Sequence, residues 1–258
     1  MMPAMDRLER ERVFHDLQAR ERAAWFAQRP SELIVDVDAF LDHETWIRPA
    51  FLELGNLEKA RVLDYGCGHG MAGVVLARMG AEVTAFDLSG DYVREARDRA
   101  RANGVGMTYV QADGERLPFP DGSFDRVWGN AVLHHLRLPV AGREILRVLR
   151  PGGIAVFCEP WGENPVLNFA RKHLPYHGKH RTEDEEPLRR RHVRDLKGVF
   201  PDLEIRGHQF FSMVRRVVSS RRVNAGLERC DRIVLARVPA LERYCRYVVL
   251  TLRVPGPA

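Results

Sequence analysis

A chain of 258 residues with 45% hydrophobic and 29% charged residues is long enough to bury a sizeable core and has the composition of an ordinary globular domain. Its net charge of +5 is unevenly spread: residues 1–158 carry 20 basic against 23 acidic side chains, and residues 159–258 carry 20 against 12. No run approaches 18 apolar residues and no apolar stretch of the secretory kind follows Met1-Met2-Pro3, so neither a transmembrane helix nor a secretory signal is expected, and a cytoplasmic location is.

Residues 5–28 read as a charged amphipathic helix with Leu8, Val13, Phe14, Leu17, Trp25 and Phe26 as its apolar positions, and a second helix is predicted over Glu44–Leu54. Arg61–Tyr65 is a short apolar strand that runs straight into glycines. Met71–Met79 is a helix ended by Gly80, Glu82–Phe86 a second strand, and Gly90–Asn103 a charged helix closed by Gly104. Met107–Gln111 reads as a third strand, and the turn Leu117-Pro118-Phe119-Pro120-Asp121-Gly122-Ser123 leads into a fourth over Phe124–Trp128. A helix over Val140–Leu149 stops at Pro151-Gly152-Gly153 before a strand at Ile154–Cys158. This alternation predicts a parallel sheet covered by helices on both faces, because parallel strands need crossover connections.

After Glu159 the pattern changes. Residues 160–191, rich in Pro, His, Arg and acidic side chains, read as a lid or insertion, followed by a short helix near His192–Phe200. Leu203–Met213 and Tyr244–Val254 read as strands flanking a long helix, Ser219–Ala236, with Leu227, Cys230, Val234 and Leu241 on one face. Cys67, Cys158, Cys230 and Cys245 are scattered without a C-x-x-C pair and read as reduced thiols. Only four of the basic residues are Lys. The basic last third reads equally as a solvated face or as a surface for an anionic substrate, a membrane or nucleic acid; no aromatic-interleaved basic patch supports the last.

The chemistry concentrates in the first half. Gly66-x-Gly68-x-Gly70 follows a strand and opens a helix, so its backbone N–H groups can approach a ligand closely. Asp87 ends the second strand and Asp113 the third, which lines up glycines and two carboxylates along one sheet edge, where ligands of such sheets bind. The third glycine comes one residue sooner than in a dinucleotide loop, and Asp64 precedes it. A carboxylate there repels a diphosphate but can pair with an amino acid's ammonium.

Val62–Gly70, Val83–Ser89, Asp113 with Leu117–Asp125, and Leu149-Arg150-Pro151-Gly152-Gly153 together resemble the class I S-adenosylmethionine-dependent methyltransferases, within them the small-molecule "type 11" group, over roughly residues 44–160. The resemblance implies an α/β, Rossmann-like seven-stranded sheet of order 3-2-1-4-5-7-6 with the seventh strand antiparallel, N-terminal helices and a lid insertion. It implies one domain: a helical cover at 1–55, a cofactor core at 56–158, a lid at 159–200 and closing strands at 201–258. It also implies S-adenosylmethionine bound by Gly66, Cys67, Gly68 and Gly70 around its methionine portion, Asp64 near its amino group, and Asp87 on the ribose. Leu88 and Asp113, with Gly114, would then meet the adenine, and Asn130 would lie near the sulfonium. His69 stands where Thr or Ser is frequent in that loop.

For the chemistry, His134 and His135 just beyond the fourth strand are candidate bases for a hydroxyl acceptor. His177, His180 and Arg181 are candidate substrate contacts; His173, His177 and His180 could ligate a metal, but the carboxylates that usually complete such a site are missing from the pattern, and no metal is expected. Trp46 and Arg48 are placed to cover the cofactor or simply to pack. The expected activity is methyl transfer to a small-molecule acceptor, O-methylation foremost, in bacterial secondary or cell-surface metabolism. N- or C-methylation and a lipid-like acceptor met at a membrane surface, through Phe210–Val218 and Ile233–Leu252, are the alternatives. RNA methylation and a non-catalytic scaffold are weaker readings, and no nucleic-acid partner is expected.

Overall fold

Strands buried on both faces build the centre of the molecule. In the computed structural model, which describes residues 6–173, 186–218 and 220–256, seven strands form one sheet in the order 3-2-1-4-5-7-6. They are β1 (Arg61–Tyr65), β2 (Glu82–Asp87), β3 (Thr108–Gln111), β4 (Phe124–Asn130), β5 (Leu149–Pro160), β6 (Glu204–His208) and β7 (Tyr247–Arg253). β1 to β5 run parallel, and β7 pairs antiparallel with both β5 and β6. The resemblance implied this topology, including the reversed last strand.

Neighbouring residues on a strand point to opposite faces, and here both faces are covered. Leu63, Val127, Phe157 and Leu250 enter one apolar layer with Leu133, Ile145 and Leu196. Val62, Trp128, Val156 and Val249 enter the other, with Phe51, Leu54 and Val74–Leu76. That is why the strands read as nearly unbroken apolar runs. Each fully buried large side chain contributes about 1.5–3 kcal/mol.

The helices are α1 (Arg7–Gln28), α2 (Val37–Leu41), α3 (Ile47–Glu53), α4 (Met71–Arg78), α5 (Gly90–Ala102), α6 (Leu138–Val148), α7 (Pro165–His173), α8 (Arg190–Lys197) and α9 (Arg221–Arg237). α1 begins at an Asp6 cap, whose side chain accepts the Glu9 N–H at 2.8 Å. It then packs contrary to its hydropathy. Val13, Leu17 and Trp25 are exposed, whereas Glu11 is buried. Arg7, Glu11, His15, Gln18 and Arg22 recur at helical spacing and form the inward stripe, so the helix docks through polar contacts. Arg20 meets Asp91 at 2.7 Å, the Tyr92 hydroxyl donates to Gln18 at 2.9 Å, and Arg22 meets Glu95 at 3.1 Å.

Packing decides four further features. Trp46 is buried in a 3.8 Å stack on Tyr247, and Arg48 is held by Asp38 and Asp42, so both serve packing. The strand expected to reach Met213 stops at His208, because Gln209 turns into the left-handed region and Phe210, Phe211 and Ser212 donate their N–H groups to Asp231 of α9. Asp231 and Leu235, rather than Leu227, Cys230 and Val234, are the buried positions of that helix. Within 159–200, the flanks are integral to the core: Trp161, Leu188, Val193, Leu196 and Phe200 are buried against the main sheet. His177, His180 and Arg181 lie outside the described residues.

Candidate active site

Two cavities meet at the carboxyl edge of the sheet. The first, about 360 Å³, lies between the ends of β1, β2 and β4 and the inward stripe of α1. Its walls include Gly66, Gly68, Phe86, Asp87, Leu88, Asp113, Gly114, Asn130 and His135. The second, about 660 Å³, lies on the other side of the glycine loop, beneath residues 34–47. Asp64, Cys67, Met71, Trp128, Ile34, Phe40, His43 and Ile47 line it. Gly66, Gly68, His69 and Asn130 border both. Of the sequence-predicted cofactor residues, only Gly70 borders neither cavity; it sits at the head of α4.

The glycine loop is shaped by two backbone demands. Gly66 has a φ of 68°, and a Cβ there would meet Val132 Cγ2 at 2.6 Å. Gly68 has a φ of 45°, and a Cβ there would find nothing within 4 Å, because its position faces open cavity. The loop is pinned from below. Asp87 accepts the Gly68 N–H at 3.0 Å through Oδ2 and the Ser89 N–H at 2.9 Å through Oδ1. Burial raises the Asp87 carboxyl above its ordinary range, against the pull of those two N–H groups.

Asp64 is the most telling group. It is buried, and its Oδ2 has no hydrogen-bond partner. Burial first, then the charge of Asp87, pushes its pKa up to about 7, against a backbone N–H at Gly73. An uncompensated buried carboxylate is costly unless a cation reaches it. The residues therefore fit S-adenosylmethionine: an orphaned acid for an ammonium, an open left-handed glycine for close backbone approach, a two-oxygen carboxylate at the β2 end, and an apolar wall at Phe86 and Leu88. Asp113 turns its Oδ1 to the Glu115 N–H at 2.8 Å, while the Tyr65 hydroxyl donates to the Gly114 carbonyl at 2.7 Å and sets that backbone.

The two histidines after β4 separate. His134 is buried, with Nδ1 2.7 Å from Glu159 Oε2, and does not line either cavity. Glu159 also accepts the N–H groups of Val132 and Leu133 at 2.9 and 2.8 Å, so the pair fixes the turn that follows β4. Ala131 in that turn has a φ of 55°, a strained value for a residue with a Cβ. His135 faces the first cavity beside Glu11 and His15 of α1. His69 is half-buried, its Nδ1 shut away without a partner, and desolvation with Arg22 and Arg99 drives its pKa down to about 3, so the ring is neutral.

Sequence reasoning missed Glu11, His15, Phe40 and His43 as cavity residues. For the first two the signal was present: Glu11 and His15 share the polar stripe of α1. Phe40 and His43 come from the short α2 region, which no periodicity announced.

The comparisons with known proteins converge on this core. A family model described as "Methyltransferase domain" matches residues 63–157. A malonyl-acyl-carrier-protein O-methyltransferase of Enterobacter lignolyticus is 43% identical over 99 residues, 38% of either chain. A fatty-acid O-methyltransferase of Mycolicibacterium smegmatis is 42% identical over 108 residues, 40% of this chain and 38% of that one. The chain thus spans less than two fifths of the length of these curated relatives. The solved 4+2 cyclase SpnF shares the fold, with a TM-score of 0.54 at 24% identity over 81% of each chain. The match over residues 63–157 and the sheet that carries it support a class I S-adenosylmethionine-dependent methyltransferase family for this core.

Proposed function

We propose that this protein transfers a methyl group from S-adenosylmethionine to an oxygen of a small acceptor with an apolar body. The observation that carries the reading is the orphaned Asp64 carboxylate beside the open Gly68, with Asp87 and Asp113 at the next two strand ends. Asp64 would take the cofactor's ammonium, the loop from Gly66 to Gly70 with Cys67 would follow its methionine chain, and Asp87 would accept from both ribose hydroxyls. Leu88, Asp113 and Gly114 would hold the adenine, and Asn130 would stand where the two cavities join. When bound, the cofactor supplies a methyl carbon already activated by a sulfonium. The protein's own task is then positioning and exclusion of water.

The acceptor assignment rests on the second cavity. Beyond the end where Asp64 and Cys67 would meet the cofactor, Ile34, Val35, Phe40, Ile47, Met71 and Trp128 give it apolar walls, and His43 and Asp36 stand among them as polar groups. Two relatives named for O-methylation, one of a fatty acid and one of a malonyl-acyl-carrier protein, point the same way. His134 is then a positioning residue: it holds Glu159, which holds the turn around Asn130, whereas His135 faces the cofactor side. His134→Ala should lower the melting temperature by several degrees, equivalent to roughly 1–3 kcal/mol for a buried carboxylate that loses one partner. A catalytic base would instead show a lost limb in the pH–rate profile with stability unchanged.

Calorimetric titration with S-adenosylhomocysteine tests the core of the reading, since neither heat nor a thermal shift would sink it. A screen of fatty acids and phenols with methyl-labelled cofactor then tests the acceptor class.

A second reading, an acceptor met at a membrane surface, draws on one feature. Phe211, Val214, Val217 and Val223 are exposed beside Arg215, Arg221 and Arg222. In the other stretch considered for this contact, Ile233 and Val238 are exposed as well, whereas β7 buries Val248, Val249 and Leu250. Salt-sensitive co-sedimentation with anionic liposomes would favour this reading, and no binding at low salt would remove it.

A further inference from the structure

The inward stripe of α1 does more than dock the helix. Glu11, His15 and His135 each bring one ligand atom to within 4.8 Å of the others. Glu11 and His15 stand one turn apart on α1, and His135 ends the short turn after β4. Glu11 Oε2 lies 3.2 Å from His135 Nδ1 and 3.4 Å from His15 Nε2. Bonds of about 2.0–2.1 Å to a tetrahedral ion place its ligand atoms about 3.3–3.4 Å apart, so these two separations fit atoms sharing one ion.

Two further observations point to a ligand. His135 Nδ1 is buried and makes no hydrogen bond, although Glu11 is near it. The three groups also line the first cavity together with Asp87. A cation there would sit between two carboxylates, with Arg7 as the guanidinium in the same wall.

We propose that Glu11, His15 and His135 form a site for a divalent first-row transition ion of the zinc type, with three protein ligands and a coordination position open to the cavity. The donor set of two imidazoles and a carboxylate suits such an ion and disfavours calcium or magnesium, which prefer all-oxygen shells. The ion would fasten α1 to the turn after β4 and so close one side of the cavity. The site is separate from the His173, His177 and His180 group weighed in the sequence, and it stands whether or not the methyl-transfer reading holds.

The test is titration of Co2+ into the tag-free, chelator-treated full chain, followed by its visible d–d absorption. The expected result is a band that saturates at one equivalent, disappears on adding Zn2+ and brings paramagnetically shifted signals from the His15 and His135 rings. His15→Ala and His135→Ala should each weaken binding about tenfold or more, as removal of even a supporting group does at such sites; His173→Ala should leave it unchanged. Should either alanine variant lose its circular-dichroism signature, Glu11→Gln carries the same expectation, and the ring signals of the wild type decide without any variant. No band in the wild type, or a band lost only with His173→Ala, overturns the site.

Discussion

The two cavities share a glycine loop and are otherwise built on different terms. The first is walled by groups at strand ends, Asp87, Leu88, Asp113 and Gly114, whose places follow from the register of β1, β2 and β3. The second is walled on one side by residues 34–47, short helical pieces outside the matched core, with apolar side chains and few polar ones. On the proposed reading the first cavity holds the cofactor, whose polar partners the strand ends supply. An acceptor imposes shape and hydrophobicity, which many sequences can supply. The fold therefore speaks for the cofactor side and leaves the acceptor to appended segments.

The sharpest way to break this comparison is Gly68→Asn. Asn tolerates the left-handed φ of 45° and nothing lies within 4 Å of the new Cβ, so the fold should persist by circular dichroism, while the side chain fills the space between the cavities. Binding of S-adenosylhomocysteine should fall below detection; retained binding would mean that the loop does not border the cofactor. Asp87→Ala should be smaller, weakening the same titration by roughly 1–3 kcal/mol through loss of a charged acceptor. Unchanged affinity would misplace the ribose.

A pH series sharpens the comparison at Asp64. Its folded pKa of about 7 lies above the ordinary carboxyl value of 3.8. The ligand-free protein therefore loses stability as pH rises from about 4 through about 7, where the unfolded chain has released a proton that the folded chain retains. An ammonium ligand needs the ionised form, so its affinity should rise with pH up to about 7, by at most about tenfold per unit, with proton release measurable in buffers of different ionisation enthalpy. Asp64→Asn should flatten that dependence, and a flat profile in the wild type would remove the ammonium from Asp64. Smallest of all, Phe40→Ala should raise the acceptor's KM several-fold, on the order of 1 kcal/mol, without changing S-adenosylhomocysteine affinity. A change in cofactor affinity alone would merge the two cavities into one.

Much of this was legible in the linear sequence because parallel strands buried on both faces are continuous apolar runs with sharp ends. Arg61–Tyr65 is observed as expected, and the ends of β2 and β3 fall at Asp87 and Gln111, two residues before Asp113. Local signals of this sort also exposed the glycine loop and the carboxylates after it. Hydropathy failed where the burying interactions are polar. The stripe of Arg7, Glu11, His15, Gln18 and Arg22 reads as the solvent side of α1 and is its inner side. Asp231 reads as a surface acid and anchors three backbone N–H groups.

By itself the sequence determined the class of sheet, the glycine loop at its edge, and the order of acids along that edge, since each follows from residues a few positions apart. Only the tertiary structure separated His134 on Glu159 from His135 in the cavity, left Asp64 Oδ2 without a partner, and brought Glu11 and His15 against a turn more than a hundred residues away. Those outcomes depend on which polar atoms are shut away from water together, and that is a property of packing between distant segments.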